Sequence, residues 1–193
     1  MGDPVLHLIV GANGAGKSTF FRFVVEPETA LPFVNADEIA AANWPGDTQA
    51  RSYDAARLAA EEHAAFIAER RSFAAETVFS HPSKIELVRD ARSAGYVVVL
   101  HVVLVPEAVA VGRVAERVAH GLGHPVPEHK IRERFARLWD NVVAAVPLTN
   151  SAFVYDNSSV DTPYRIVATF RAGRLVGAAA WPRWAPDALR SLR

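Results

Sequence analysis

The chain has no cysteine, a single methionine and few lysines: only Lys17, Lys84 and Lys130 in 193 residues. Without cysteine there is neither a disulfide framework nor a thiolate metal site. No run approaches the ~18 consecutive apolar residues of a membrane span. The opening Met1-Gly2-Asp3-Pro4 lacks a basic segment, and the apolar run behind it is too short for a secretory signal. An excess of one charge is missing as well, since 21 Lys and Arg balance 21 Asp and Glu. No strong field therefore draws the protein to nucleic acid or to an acidic membrane. His120, His124 and His129 lie close in sequence, but their spacing fits no usual zinc pattern, and loop or capping roles are expected for them.

What is present is the composition of an ordinary globular protein, 50% hydrophobic and 22% charged. The length suits a single domain, residues 1–193, with a sizeable core. Arginine carries nearly all the positive charge, a bias that suits phosphate clamping and is equally open to a compositional origin.

One stretch organises the rest. Gly11-Ala12-Asn13-Gly14-Ala15-Gly16-Lys17-Ser18-Thr19 fits G-x-x-x-x-G-K-[ST] and follows the apolar run Val5–Val10. Glycines let the backbone wrap closely around phosphates, with successive N–H groups pointing inward. A following helix then aims its positive dipole end at the same anion. In that arrangement Lys17 reaches the β- and γ-phosphates and Ser18 ligates Mg²⁺. The alternative, a glycine-rich turn with an incidental lysine, is disfavoured by context: β-branched residues precede the loop, and Phe20-Phe21-Arg22-Phe23-Val24 continues it with apolar helical character. A nucleotide-dependent enzyme in a cytoplasmic setting is the expectation.

Taken in order, the patterning predicts strand Val5–Val10, helix Lys17–Val25 broken by Glu26-Pro27-Glu28, and a short strand at Phe33-Val34. Asn35 or Asp37 is placed to cap a helix over Ile39–Asn43. A long helix over Gln49–Arg71, a strand over Ser72–Phe79 and a helix over Pro82–Ala94 come next. Tyr96–Val105 is apolar enough for a central parallel strand. Helices from Glu107 towards Gly121 and over Glu128–Val146 flank a loop from Gly121 to Pro127. A strand at Ala152–Tyr155 and a terminal hairpin of Tyr164–Phe170 with Leu175–Ala180 complete the chain, with Trp181 and Trp184 packing back on the body. Alternating strands and helices give an α/β fold with a mostly parallel, doubly wound sheet, whose ligands sit at the strands' C-terminal ends.

Several chemistry-bearing residues fall at those ends. Asp37 could take the proton of an attacking hydroxyl, or simply cap a helix. Glu76 and Thr77 suit the hydroxyls of a sugar-like substrate, or a surface salt bridge. Arg113 and Arg117 stand i,i+4 on one predicted helix, with Arg132 and Arg134 on the next. Brought in by a closing lid they would stabilise charge on a transferring phosphoryl group; on solvated faces they would do nothing of the kind. A nucleotide-hydrolysing switch is the competing class. It calls for an acidic Mg²⁺ partner at the end of an apolar strand, and the run ending in Val105-Pro106 offers only Glu107.

The cradle motif, Phe33-Val-Asn-Ala-Asp-Glu-Ile-Ala40, Phe73-Ala-Ala-Glu-Thr-Val-Phe-Ser80, Arg113-Val-Ala-Glu-Arg117, Gly121-Leu-Gly-His-Pro-Val-Pro-Glu128, Ile131-Arg-Glu-Arg134 and Val154-Tyr-Asp-Asn-Ser158 occur in the order seen in zeta-toxin-like P-loop kinases. Over roughly residues 5–177 the chain resembles that family. The resemblance implies a three-layer P-loop kinase fold with a helical lid over about residues 107–146 and a C-terminal β-hairpin. It implies phosphoryl transfer from ATP or GTP, with Mg²⁺, to a hydroxyl of UDP-N-acetylglucosamine or a related sugar nucleotide, and an antitoxin partner. By the same resemblance Lys17 and Ser18 hold nucleotide and metal, and Asp37 is the base. Arg113, Glu76 and Thr77 then meet substrate, and Arg117 is the lid arginine, with Arg132 and Arg134 open as its complement.

Overall fold

The computed structural model describes residues 2–121 and 126–193. Among the described residues seven strands form one sheet, in the order β2-β3-β1-β4-β5-β6-β7. Strands β1 (Val5–Gly11), β2 (Phe33–Asn35), β3 (Phe73–Thr77), β4 (Val97–Leu104) and β5 (Ser151–Asp156) are mutually parallel. Strands β6 (Arg165–Arg171) and β7 (Arg174–Leu175) continue the sheet antiparallel. The chain leaves β1 towards β3 and β2 on one side and later fills β4 and β5 on the other, so the order reverses at β1. A crevice opens at the C-terminal ends there, and the glycine-rich loop lies in it.

Helices cover both faces. Residues at even positions of β1 share a face with Phe73, on which Phe66 of α4 (Ser52–Ala68) stacks with centroids 5.0 Å apart. Odd positions share a face with His101, where Phe20 of α1 (Lys17–Phe20) packs 5.3 Å from His101 and 4.6 Å from Tyr155. Amphipathic spacing explains the outer helices. Ile85, Val88 and Ala91 are the buried stripe of α5 (Ser83–Ser93), and Ile131, Leu138, Val142 and Ala145 that of α7 (Glu128–Ala145). Between them in sequence, α6 (Glu107–Ala119) buries Ala110 and Val114. The short α8 (Asp187–Arg190) anchors Leu189 in the core, with Trp181 and Trp184 packed partly buried against it. No helix among the described residues is long and apolar enough to cross a membrane.

Two local expectations are corrected. Pro27 does not end the first helix. After α1 the chain widens into a π-helical stretch, Phe21–Val25, and resumes as α2 (Glu26–Thr29) with Pro27 in its first turn, where a missing N–H costs little. The helix stops instead at Ala30, in the left-handed region at φ +50°. The terminal hairpin is also shorter than Leu175–Ala180 suggested. Its two-residue turn, Ala172-Gly173, has positive φ throughout, but Gly177 at φ +73° breaks the second strand. Only isolated bonds from Val176 N–H to Thr169 O and from Ala180 N–H to Val167 O follow.

Buried histidines give the fold a pH response. Burial, and secondarily the neighbouring His7, pushes His101 down to about 3; burial, and then Lys84, pushes His63 down to about 4. The folded protein therefore holds fewer protons than the unfolded chain between those values and about 6.5, so stability is lost as the pH falls through that window. Each histidine should cost about 2 kcal/mol by about pH 5. Urea midpoints at neutral pH and near pH 5 check this; equal midpoints would contradict it.

Candidate active site

The glycine-rich loop is braced on the side of β5 by groups far away in sequence. Asn157 Nδ2 donates to Ala15 O at 2.9 Å, and the Tyr164 hydroxyl donates to Gly16 O at 3.0 Å. Both come close because Gly16, at φ +91°, carries no side chain: a Cβ there would stand 2.6 Å from Asn157 Nδ2 and 3.1 Å from the Tyr164 hydroxyl. Gly14, at φ +76°, lies against α6, where an added Cβ would stand 2.5 Å from the backbone oxygen of Ala110. Since that backbone cannot yield, Gly14→Ala should lower stability by about 3 kcal/mol, or about 6–12 °C in Tm, and weaken ATP binding. A Tm within a degree of the wild type would refute that close approach.

Lys17 opens α1 and is buried. Its ammonium donates to Ala12 O at 3.0 Å and lies 3.5 Å from Glu76 Oε1. Register explains the meeting, because Glu76 on β3 stands opposite Ile9 of β1 and Asn35 of β2. The Ser18 hydroxyl donates to Glu76 Oε2 at 2.7 Å and Asn35 Nδ2 donates to the same oxygen at 2.9 Å. Glu76 thus sits against the cradle. Ser18 and Glu76 are hard oxygen donors of the kind Mg²⁺ takes beside nucleotide phosphates, so the residues fit that ion. Among the described residues no three His, Cys, Asp or Glu gather as a metal cage.

Asn35 settles the cap. Its Oδ1 accepts from Asp37 N–H at 2.8 Å at the start of α3 (Ala36–Asn43), which places Asp37 within the first turn instead of at the cap. Asp37, Asn13, Lys17, Glu76, Thr77 and Arg134 all line one cavity of about 820 Å³ between the cradle, α4 and the start of α7. Thr77 Oγ1 also accepts from Phe79 N–H at 3.3 Å.

The other arginines lie elsewhere. Arg113 does not line this cavity; its charge acts on Tyr164, beside Gly16, and Ala110 on the same helix touches Gly14. Arg117 has its Nε buried without a hydrogen-bond partner among the described residues. Arg132 is held at the surface by Glu107 at 3.2 Å and Glu128 at 2.8 Å, tying α6 to α7. The His120 ring caps its own helix through Glu116 O at 2.8 Å, while His124 and most of the loop expected over Gly121–Pro127 lie outside the described residues. The strand-end position of Asn157 was the one sequence signal for the brace at Ala15; nothing local marked Tyr164.

Beyond the cradle, Asp156 ends β5. Burial pushes its carboxyl up, but hydrogen bonds from Ser158 and the Arg165 guanidinium, 3.0 Å away, outweigh it and hold the group below its ordinary range. Its charge pins the turn that carries Asn157.

The profile of a family described as an AAA domain (AAA_33) matches residues 6–139. No curated protein sequence matches the chain. Among solved structures, the AvrRxo1-ORF1:-ORF2 complex with ATP superposes at a TM-score of 0.72 and 16% identity, over 90% of this chain and 60% of that one. A structure from the PezAT chromosomal toxin–antitoxin system of Streptococcus pneumoniae gives 0.67 and 15%, over 98% and 84%. A gluconokinase from Sinorhizobium meliloti gives 0.52 and 16%, over 85% and 87%. The chain thus spans 60% of the length of the AvrRxo1 chain it matches. Together with the sheet order, these likenesses show a three-layer α/β fold of the P-loop kinase type.

Proposed function

Because the chain belongs to the AAA-domain family AAA_33, with a P-loop kinase-like architecture, we propose that it is a kinase transferring the γ-phosphate of ATP to a hydroxyl of a small molecule. One observation carries this: Lys17, Glu76 and Asp37 line the same cavity, and that cavity extends well past the cradle into acceptor-sized space. In the proposed step the acceptor oxygen bonds to the γ-phosphorus, and the bond from phosphorus to the β–γ bridging oxygen breaks. The electron pair leaves with ADP, and the hydroxyl proton passes to the Asp37 carboxylate. Backbone N–H groups of Gly11–Thr19 and the Lys17 ammonium hold the phosphates in line. Ser18 and Glu76 would hold Mg²⁺, which when bound screens the β- and γ-phosphate charge. Arg113 and Arg117, on the helix that touches Gly14, are assigned to the nucleotide side, and Arg134 to the acceptor side.

For the acceptor we propose a sugar nucleotide such as UDP-N-acetylglucosamine, and for the protein a toxin-like role with an antitoxin partner. The resemblance of the motifs to zeta toxins supports this, as does the likeness to a structure from a toxin–antitoxin system. The test is to incubate the protein with ATP, Mg²⁺ and UDP-N-acetylglucosamine and look by mass spectrometry for a phosphorylated sugar nucleotide. Its absence defeats that acceptor.

A nucleotide-hydrolysing reading gains one point from the structure. Glu76 is an acidic residue at the end of a strand beside β1, hydrogen-bonded to Ser18, which Glu107 is not. The acceptor-sized cavity favours the kinase. An ATPase rate indifferent to every added alcohol would favour the alternative.

A further inference from the structure

All three lysines of the chain line the one cavity. Lys17 belongs to the cradle. Lys84 and Lys130 stand on the other walls, joined by Arg134, and none of these three makes an ion pair among the described residues. By contrast Arg22, Arg51, Arg57, Arg89 and Arg132 on the outer surface are each matched to a carboxylate. Three acids line the cavity, Asp37, Asp47 and Glu76, and none of them forms an ion pair with Lys84, Lys130 or Arg134 among the described residues. Glu76 is engaged by Lys17, Ser18 and Asn35, and Asp47 pairs with Arg51 at 3.4 Å.

The placement of the two lysines is locally unfavourable. Lys84 is the second residue of α5 and Lys130 the third of α7, so each cation sits in the first turn, at the positive end of its helix. Lys84 is also half-buried, and burial lowers its pKa. A partly desolvated cation at a helix N-terminus costs stability unless an anion offsets both effects. Two helix starts and three unmatched cations facing one cavity would be offset together by a single bound anion. At about 820 Å³ the space takes such a group in addition to the reacting hydroxyl.

We infer that the acceptor is an anionic hydroxyl compound, its phosphate or carboxylate held by Lys84, Lys130 and Arg134 while its hydroxyl faces Asp37. The hydroxyl half of this statement rests on the kinase reading; the anion site stands on the cavity alone.

The test fills the cradle first with a non-hydrolysable ATP analogue and Mg²⁺, then titrates four probes by calorimetry: glucose 6-phosphate, gluconate, glucose and UDP-N-acetylglucosamine. At least one anionic probe should bind about tenfold or more tighter than glucose, phosphate against carboxylate deciding the class of anion. Lys84→Gln and Lys130→Gln should each weaken that probe about tenfold, the size of one charge-assisted contact. Affinity for the ATP analogue, measured alongside, reports that the variants are folded. Glucose binding as tightly as the anions, no anion binding at millimolar concentration, or an affinity indifferent to both substitutions would each overturn the inference. Transfer assays on the same probes separate the two claims. Lys84-dependent binding without transfer to any probe removes the kinase and leaves the anion site; transfer to glucose untouched by Lys84→Gln does the reverse.

Discussion

Asp37→Asn is expected to lower kcat about a thousandfold while leaving the affinity for ATP within about twofold, the signature of a lost general base. The substitution keeps the shape of the residue and its place in the first turn of α3, where Asn35 supplies the cap. The amide cannot accept the hydroxyl proton. Were Asp37 no more than part of a helix start, the variant would lose a few tenths of a kcal/mol in stability and almost none of its rate. A kcat within tenfold of wild type would remove Asp37 from the chemistry.

Glu76→Gln is expected to lower kcat by a factor of about 100 to 1,000 and to raise the Mg²⁺ concentration needed for half-maximal rate. Its carboxylate receives Ser18 and Asn35 and faces the Lys17 ammonium, all on the nucleotide side of the cavity. A residue that merely bound a sugar hydroxyl would behave differently, raising the acceptor's KM with the Mg²⁺ response untouched. Titrating Mg²⁺ at saturating ATP and acceptor separates the two roles. An unchanged Mg²⁺ response would return Glu76 to the acceptor pocket.

How far the molecule could be read from its sequence follows from how local each feature is. The cradle, the buried run of β4 and the amphipathic helices α5 and α7 are legible because glycine placement and apolar period are properties of adjacent residues. Pro27 misleads because its effect depends on a π-helical turn upstream, which no short pattern encodes. The contact of Glu76 with Ser18 spans 58 residues and exists only because β3 pairs with β1 in a particular register. The braces from Asn157 and Tyr164 onto the cradle span 142 and 148 residues and depend on β5 and β6 arriving beside it. The same limit applies to the arginines: the two-residue spacing of Arg132 and Arg134 puts them on nearly opposite faces of α7, while only packing decides that it is Arg134 that reaches the cavity and Arg132 that is tied to two carboxylates. For the lysines, scarcity was visible at once and its meaning was not, because Lys84 and Lys130 converge with Lys17 only in three dimensions.

In the proposed reaction phosphate leaves ATP for an alcohol and not for water. Its most direct measurement follows γ-labelled ATP to its products in the presence of the anionic hydroxyl probe that binds best, comparing the wild type with Asp37→Asn. One phosphorylated acceptor is expected for each ADP released, with both products falling together in the variant. Equal amounts of ADP and inorganic phosphate, with no labelled acceptor and the same rate from Asp37→Asn, would contradict it.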